Sequence, residues 1–166
     1  MAIIMELFSA DNFIEETVNK YSDTIYRIAL NITHSKQDSF DICQEVFIRL
    51  IQNISQIKSE NHLKSWLIRV TINCSKTYMR KKSKLVSLED INELTYIQEY
   101  KDLTLANAVS RLPEKYSTVI YLHYYEDIKV NDIAKILKIS PSAVKLRLKR
   151  GREKLKNILE KENYNA

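Results

Sequence analysis

Residues 130–156, VNDIAKILKISPSAVKLRLKRGREKLK, constrain the fold more than any other stretch, because they read as two short helices joined by a tight turn. Asn131 or Asp132 can cap the first helix, where Ile133, Ala134 and Leu137 are spaced to bury one face. Ile139, Ser140, Pro141 and Ser142 make the turn: Ser140 is a good N-cap, and Pro141 stands where a first helical residue tolerates it. In the second helix Val144, Leu148, Leu155 and Leu159 fall within about 60° of one another at ~100° per residue. Lys145, Lys149, Arg152 and Lys156 line one flank, and Arg147, Arg150 and Lys154 the other. One side packs and the rest is cationic. This is a helix-turn-helix whose second helix has the size and charge to enter a major groove.

Charge sharpens the reading. Residues 145–156 hold seven basic side chains and one acid, Glu153, a local charge of +6 in a chain whose total is +5. The remainder therefore sums to about −1, and the positive field sits on one element, as phosphate binding requires. A basic run alone is commonly just a solvated helix face. Behind a helix, a turn and a Ser-Pro cap it reads as DNA-binding.

One Gly and two Pro in 166 residues leave few turn formers, which argues against a sandwich or barrel and for long helices. The expected class is all-α, with two small helical units. Cys43 and Cys74 show no spacing motif and are expected to be reduced and buried in a cytoplasmic protein. No apolar run approaches ~18 residues, and the opening MAIIMELF lacks the basic flank of a secretion signal.

The first unit is expected over residues 9–82. Ser9 or Asp11 can cap a helix carrying Phe13, Ile14, Val18, Tyr21, Ile25, Ile28, Ala29 and Ile32, broken at Thr33, His34 and Ser35. A second helix follows over about 37–54, with Phe40, Cys43, Phe47, Leu50 and Ile51 as its buried stripe. Asp38, Asp41, Gln44, Glu45 and Arg49 are left to face outward. A polar loop over 58–62 precedes a third helix that buries Leu63, Trp66, Leu67, Val70, Cys74 and Met79. Residues 83–102 read as an irregular acidic linker bearing Glu89, Asp90, Glu93, Glu99 and Asp102. It is a solvated tether or, less simply, a mimic of nucleic acid. The second unit, 103–164, begins with a short helix of Leu105, Ala108, Val109 and Leu112 that ends at Pro113. Another follows with Tyr116, Val119, Ile120 and His123 or Tyr124 inward, and then the helix-turn-helix.

Taken together, these residues resemble the sigma-70 family of bacterial RNA polymerase sigma factors, in particular its short extracytoplasmic-function subgroup. Asp41, Gln44, Glu45, Phe47 and Leu50 look like the DxxQExFxxL core of region 2.2, and Trp66, Leu67, Arg69, Val70 and Asn73 like the WLxRIAxN segment that follows. Leu112, Pro113, Glu114, Lys115, Tyr116, Tyr124, Tyr125 and Glu126 match the LPEKYRxVxxLxYYE opening of region 4. Asp132, Ile133, Ala134, Val144, Lys145, Arg147, Arg150 and Arg152 match its EIAxxLGISxxTVKSRLxRAR core. The motifs cover nearly the whole chain in the family's order.

The resemblance implies roles that composition and spacing do not. Asp38, Asp41, Gln44, Glu45 and Arg49 would dock on the clamp of the polymerase's largest subunit, with the flap of the second-largest subunit as a further contact. Lys58, Ser59, Asn61, His62, Arg69 and Asn73 would take bases of the −10 element as the duplex melts; the Asn73 amide suits a flipped base edge. The helix opened by Ser140 would read the −35 element. Ser142, Lys145, Leu146 and Lys149 are the base-edge candidates, and Arg147, Arg150 and Arg152 the phosphate contacts. Leu146 can touch a thymine methyl. Promoter DNA, core polymerase and a membrane-associated anti-sigma factor are the implied partners, with no cofactor, metal or small-molecule substrate. Lys138 departs from the family's frequent glycine and must take a left-handed conformation or shift the turn.

Enzymatic readings find little support. His34, His62 and His123 form no ligand spacing with the cysteines, and the only glycine, Gly151, lies within the basic helix rather than in a phosphate loop. No catalytic activity is expected. The competing reading is a stand-alone helix-turn-helix regulator binding an operator as a dimer. It explains the second unit equally well but leaves the Asp41 and Trp66 segments without a purpose, and no dimerisation heptads are visible. A polymerase-independent RNA-binding adaptor is a more distant alternative.

Overall fold

Scarcity of helix breakers shows at once in the first element. The computed structural model describes residues 2–86 and 105–163, and there helix α1 spans Ala2–Thr33, running straight through Ser9 and Asp11. Neither caps it, contrary to the sequence expectation, because no Gly or Pro interrupts the apolar opening residues. The helix ends at His34, whose φ of 54° turns the chain left-handed while its N–H still reaches Leu30 O at 2.9 Å. Ser35 then caps α2 (Lys36–Asn53), its hydroxyl accepting the Asp38 N–H at 3.2 Å. A 3-10 turn, Ile54–Gln56, leads to α3 (Glu60–Val86). Ser59 accepts the His62 N–H at 3.2 Å, so Glu60, Asn61 and His62 form the first turn of α3 rather than a polar loop.

These three helices share a core of Tyr21, Ile25 and Ala29 from α1, Ile42, Val46 and Leu50 from α2, and Leu63, Trp66, Leu67 and Cys74 from α3. The stripe expected on α2 is corrected. Phe40 and Ile51 are each 56% exposed and Cys43 and Phe47 half-buried, while Ile42, Val46 and Leu50 face inward at i, i+4 spacing. Helical periodicity fits both stripes, and only packing decides between them. Cys43 and Cys74 are unpaired, and burial pushes the Cys43 thiol up to about 11, well away from reactive thiolate character.

The second unit comprises α4 (Leu105–Ser110), α5 (Glu114–Tyr124), α6 (Val130–Leu137) and α7 (Pro141–Asn163). Leu105, expected inside, is exposed; of the pair left open on α5, His123 is half-buried and Tyr124 exposed. Neither Asn131 nor Asp132 caps α6, whose N-cap is Lys129. Lys138 does take the left-handed conformation, φ 54° and ψ 47°, and lets the Ile139 N–H reach Ala134 O at 3.0 Å in a Schellman-type ending. Ser140 caps α7 through the Ala143 N–H at 3.1 Å. Gly151 permits close approach of α5 to α7: a Cβ there would lie 3.1 Å from Ile120 Cγ1. Relieving the left-handed lysine should stabilise the turn. Lys138→Gly is expected to raise the unfolding free energy by about 0.5–1 kcal/mol, seen as a higher urea midpoint at unchanged slope.

The two units also pack on each other. Ile28 and Ile32 of α1 and Ile68 and Ile72 of α3 are buried in one apolar cluster with Val119, Leu122, Ile133 and Val144 of the second unit. Of the expected acidic linker, residues 83–86 belong to the end of α3, and 87–102, with all five named acids, lie outside the described residues.

Candidate functional site

Three surfaces carry the side chains singled out by the sequence. The first is the outer face of α2. Asp41, Gln44, Glu45 and Arg49 are exposed there, with Arg49 Nε donating to Glu45 Oε1 at 2.6 Å across one turn. Among them stand Phe40, Ile48 and Ile51, 51–56% exposed and running at i, i+8, i+11 along the same helix. The sequence reading missed this apolar row because it placed Phe40 and Ile51 in the core. Phe40 is steadied by the Tyr26 ring, 4.9 Å away between centroids.

Asp38, expected on that face, is not on it. It is 6% exposed, accepts the Tyr78 hydroxyl at 2.7 Å and the Lys82 ammonium at 3.0 Å, and so ties α2 to α3. Its sequence position one turn into α2 gives no hint of this, since both partners lie some forty residues away. Burial alone would raise the Asp38 carboxyl; the Tyr78 and Lys82 hydrogen bonds outweigh it and hold the group below its ordinary value. The same bond pushes the Tyr78 hydroxyl up to about 12. The stability contributed by Asp38 is therefore present above the ordinary carboxyl range and lost as pH falls through its lowered value. That from Tyr78 is present below about pH 10 and lost as pH rises towards 12. Asp38→Asn should cost about 1–3 kcal/mol at neutral pH by urea unfolding, and the deficit should shrink as the solution is acidified below the ordinary carboxyl range.

The second surface runs from the start of α3 along one side of it. Lys58, Ser59 and Asn61 are exposed at its head, where His62 Nδ1 accepts the Lys58 N–H at 3.2 Å. Glu60 there binds Lys20 and accepts the Tyr21 hydroxyl at 3.2 Å, anchoring the head of α3 to α1. Arg69 and Asn73 follow at i, i+4, the first half-buried and the second exposed, with Lys76 next in line. This stripe does not face open solvent throughout. His62, Ser65, Trp66 and Arg69 form one wall of a cleft of about 100 Å³, and Asp132, Lys135 and Ile136 of α6 form the other.

The third surface is α7. Ser142, Lys145, Leu146 and Lys149 are exposed together on its first turns, with Leu146 47% exposed. Arg150 and Arg152 are exposed and Arg147 half-buried. Arg152 Nη1 donates to Tyr124 Oη at 3.0 Å, and Lys115 and Lys154 lie 5.0 and 5.9 Å from the Tyr116 ring centre. The Ser140 hydroxyl is engaged as the cap. The arrangement is a cationic strip on a rigid, capped helix, suited to a nucleic-acid groove. Among the described residues no three His, Cys, Asp or Glu side chains gather as metal ligands, and no helix is long and apolar enough to cross a membrane.

Comparison with known proteins covers both helical units. Residues 17–85 match sigma-70 region 2, and residues 102–155 match sigma-70, region 4. The chain is 29% identical over 150 residues to RNA polymerase sigma factor SigV of Bacillus subtilis, covering 88% of this chain and 90% of that protein. ECF RNA polymerase sigma factor SigW of the same organism is 29% identical over 163 residues, covering 87% of each. Among solved structures, the sigma factor RpoE in complex with the anti-sigma factor NepR from Bartonella quintana superposes with a TM-score of 0.74 at 19% identity, over 88% of this chain and 96% of that one. CnrH in complex with the cytosolic domain of CnrY gives 0.67 at 18% identity, over 90% and 89%.

Proposed function

This chain belongs to the sigma-70 family of RNA polymerase sigma factors, in its extracytoplasmic-function subgroup, and we propose that its three exposed surfaces divide the work of a promoter-specificity factor. It binds core RNA polymerase and directs it to promoters that carry −10 and −35 elements. The outer face of α2 docks on the clamp of the largest polymerase subunit through Asp41, Gln44, Glu45 and Arg49 together with Phe40, Ile48 and Ile51. A mixed apolar and polar patch of this kind suits a reversible protein interface. Asp38 serves that face by fixing α2 against α3. Lys58, Ser59, Asn61, His62, Arg69 and Asn73 receive the −10 element. Ser142, Lys145, Leu146 and Lys149 read −35 base edges, with Arg147, Arg150 and Arg152 on phosphates and Ser140 holding the helix start. The second unit also meets the polymerase flap. The protein acts in the cytoplasm without catalysis of its own, and an anti-sigma factor, as NepR is for the RpoE protein, restrains it.

The observation that carries this reading is the exposed cationic strip of α7 on a capped helix-turn-helix, within a chain that also presents the α2 face. Run-off transcription on a pool of genomic promoter fragments, with and without the protein, tests it. Discrete new start sites sharing two spaced elements are expected. Tight fragment binding with no transcripts would favour the stand-alone regulator. At the second surface, Asn73→Ala is expected to weaken open-complex formation about tenfold, in line with loss of one good base contact at ~1–3 kcal/mol. Unchanged opening on every −10 variant would remove Asn73 from that role.

A further inference from the structure

One flank of α7 carries a cation that is held from outside the helix. Lys145, Lys149, Arg152 and Lys156 recur at i, i+4, i+7 and i+11 and so share that flank. Lys156 pairs with Glu160 of its own helix at 3.6 Å. Arg152 instead reaches α5, its Nη1 donating to the Tyr124 hydroxyl at 3.0 Å, and among the described residues no carboxylate pairs with it. Tyr124 is 53% exposed, so this bond lies at the surface and not in the core. Its ring is braced edge-on by His123, 4.9 Å away between centroids, and His123 Nδ1 lies 3.1 Å from Ile128 O.

The hydrogen-bonding capacity of the pair is only partly used. A phenol that accepts a hydrogen bond still has its own proton to donate, and a guanidinium has further N–H groups beside the one engaged. Among the described residues neither the Tyr124 O–H nor the remaining Arg152 donors find an acceptor in the chain. Two adjacent donor groups suit one ligand group with several oxygens, and the planar guanidinium suits phosphate above all. Position selects which phosphate. At ~1.5 Å per residue Arg152 stands about 10 Å farther along α7 than Lys145, and the major groove is only ~12 Å wide. With Lys145 and Lys149 at base edges, Arg152 meets the sugar-phosphate wall of the groove.

We propose that Tyr124 and Arg152 form one clamp on a single backbone phosphate at the edge of the −35 element, with Tyr124 both positioning the guanidinium and donating its own O–H to the phosphate. The inference rests on the −35 assignment of α7 above and adds a contact from α5, outside the helix-turn-helix. A guanidinium already fixed by the phenol loses less side-chain freedom when the phosphate arrives. The phenol contributes hydrogen bonding but no charge, so affinity and salt dependence come apart: Tyr124 governs the first and Arg152 both.

The experiment measures binding of the full chain, with core RNA polymerase, to a promoter fragment from the run-off pool over a range of salt. Tyr124→Phe keeps the ring and is expected to weaken binding about tenfold at an unchanged salt slope. Arg152→Ala is expected to lower the slope by about one, and in that background Tyr124→Phe should cost less than about twofold. Unchanged affinity in Tyr124→Phe overturns the clamp, and so does an undiminished loss in the Arg152→Ala background. Fragments carrying one neutral methylphosphonate at a time locate the contact. One position at the edge of the −35 element should cost wild type about tenfold and Tyr124→Phe about twofold or less; the absence of such a position overturns the proposal. Should Tyr124→Phe lose helicity, Arg152→Lys decides, since it keeps the charge and loses the fork. About tenfold weaker binding at an unchanged slope is expected, and wild-type affinity overturns the clamp. Weaker polymerase binding with fragment binding intact would assign the pair to a protein carboxylate and overturn the DNA contact. A wild type without preference for any −35 element strikes that reading and the clamp with it, whereas a selective wild type indifferent to Tyr124 strikes the clamp alone.

Discussion

Replacing Lys145 and Lys149 together by alanine is expected to reduce transcription from −35-dependent promoters by about tenfold to a hundredfold, with core polymerase binding unchanged. Both side chains are exposed on the first turns of α7 and neither enters the core. Alanine there removes charge without opening a cavity, and surface changes of this kind alter stability by ~0.5 kcal/mol or less. What is lost is electrostatic and directional. Each good base contact is worth ~1–3 kcal/mol, and each lysine ammonium brought into the groove of the polyanion also displaces about one condensed counterion, whichever atom it bonds. The logarithmic salt slope of promoter-fragment binding should therefore fall by one to two. An equal loss of polymerase binding and promoter binding would mean that the substitutions unfold the unit, and would defeat the assignment. Leu146, between the two lysines, sharpens the test. Leu146→Ala should change preference at a thymine position and leave the salt slope unaltered, because it carries no charge.

The second unit was legible in sequence because its determinants are local. Ser140, Pro141 and Lys138 act within a few residues of themselves, and the structure realises all three: cap, first helical residue and left-handed turn. The helices of the first unit were legible too, from periodicity. The direction each face takes was not. Helix α2 carries two apolar rows, Ile42, Val46, Leu50 and Phe40, Ile48, Ile51, and either satisfies a 3.6-residue period. The choice between them is made by α1 and α3, which are remote in sequence. Asp38 is the same case in polar form: its partners, Tyr78 and Lys82, are a helix away. Ile68 and Ile72 are the sharpest example. The core face of α3 accounts for Leu63, Trp66, Leu67 and Cys74, and nothing local announces that the opposite face is also covered. A helix that is apolar on more than one side signals a second contact, but not with what.

The misread row on α2 is where the second large effect lies. Phe40→Gln together with Ile51→Gln is expected to weaken core polymerase binding by about a thousandfold or more while the folded state changes little. Both residues are more than half exposed, so their apolar surface contributes little to folding. Gln is a good helix former, and the main local loss is the contact of Phe40 with the Tyr26 ring, at ~0.5–1.5 kcal/mol. If the row faced only water, the substitutions would be neutral or would improve solubility. If it meets the polymerase clamp, two anchors at the centre of an interface are removed, and such anchors typically cost ~2–4 kcal/mol each when truncated. Glu45 and Arg49 flank the same row, but they already satisfy each other at 2.6 Å and are about half exposed. Loss of one of them should alter the rate and salt dependence of association more than the final affinity. The pair of measurements, equilibrium affinity for the glutamine variant and association rate for Glu45→Ala, separates anchor from rim. Near-wild-type affinity in the glutamine variant would move the polymerase contact off this face altogether.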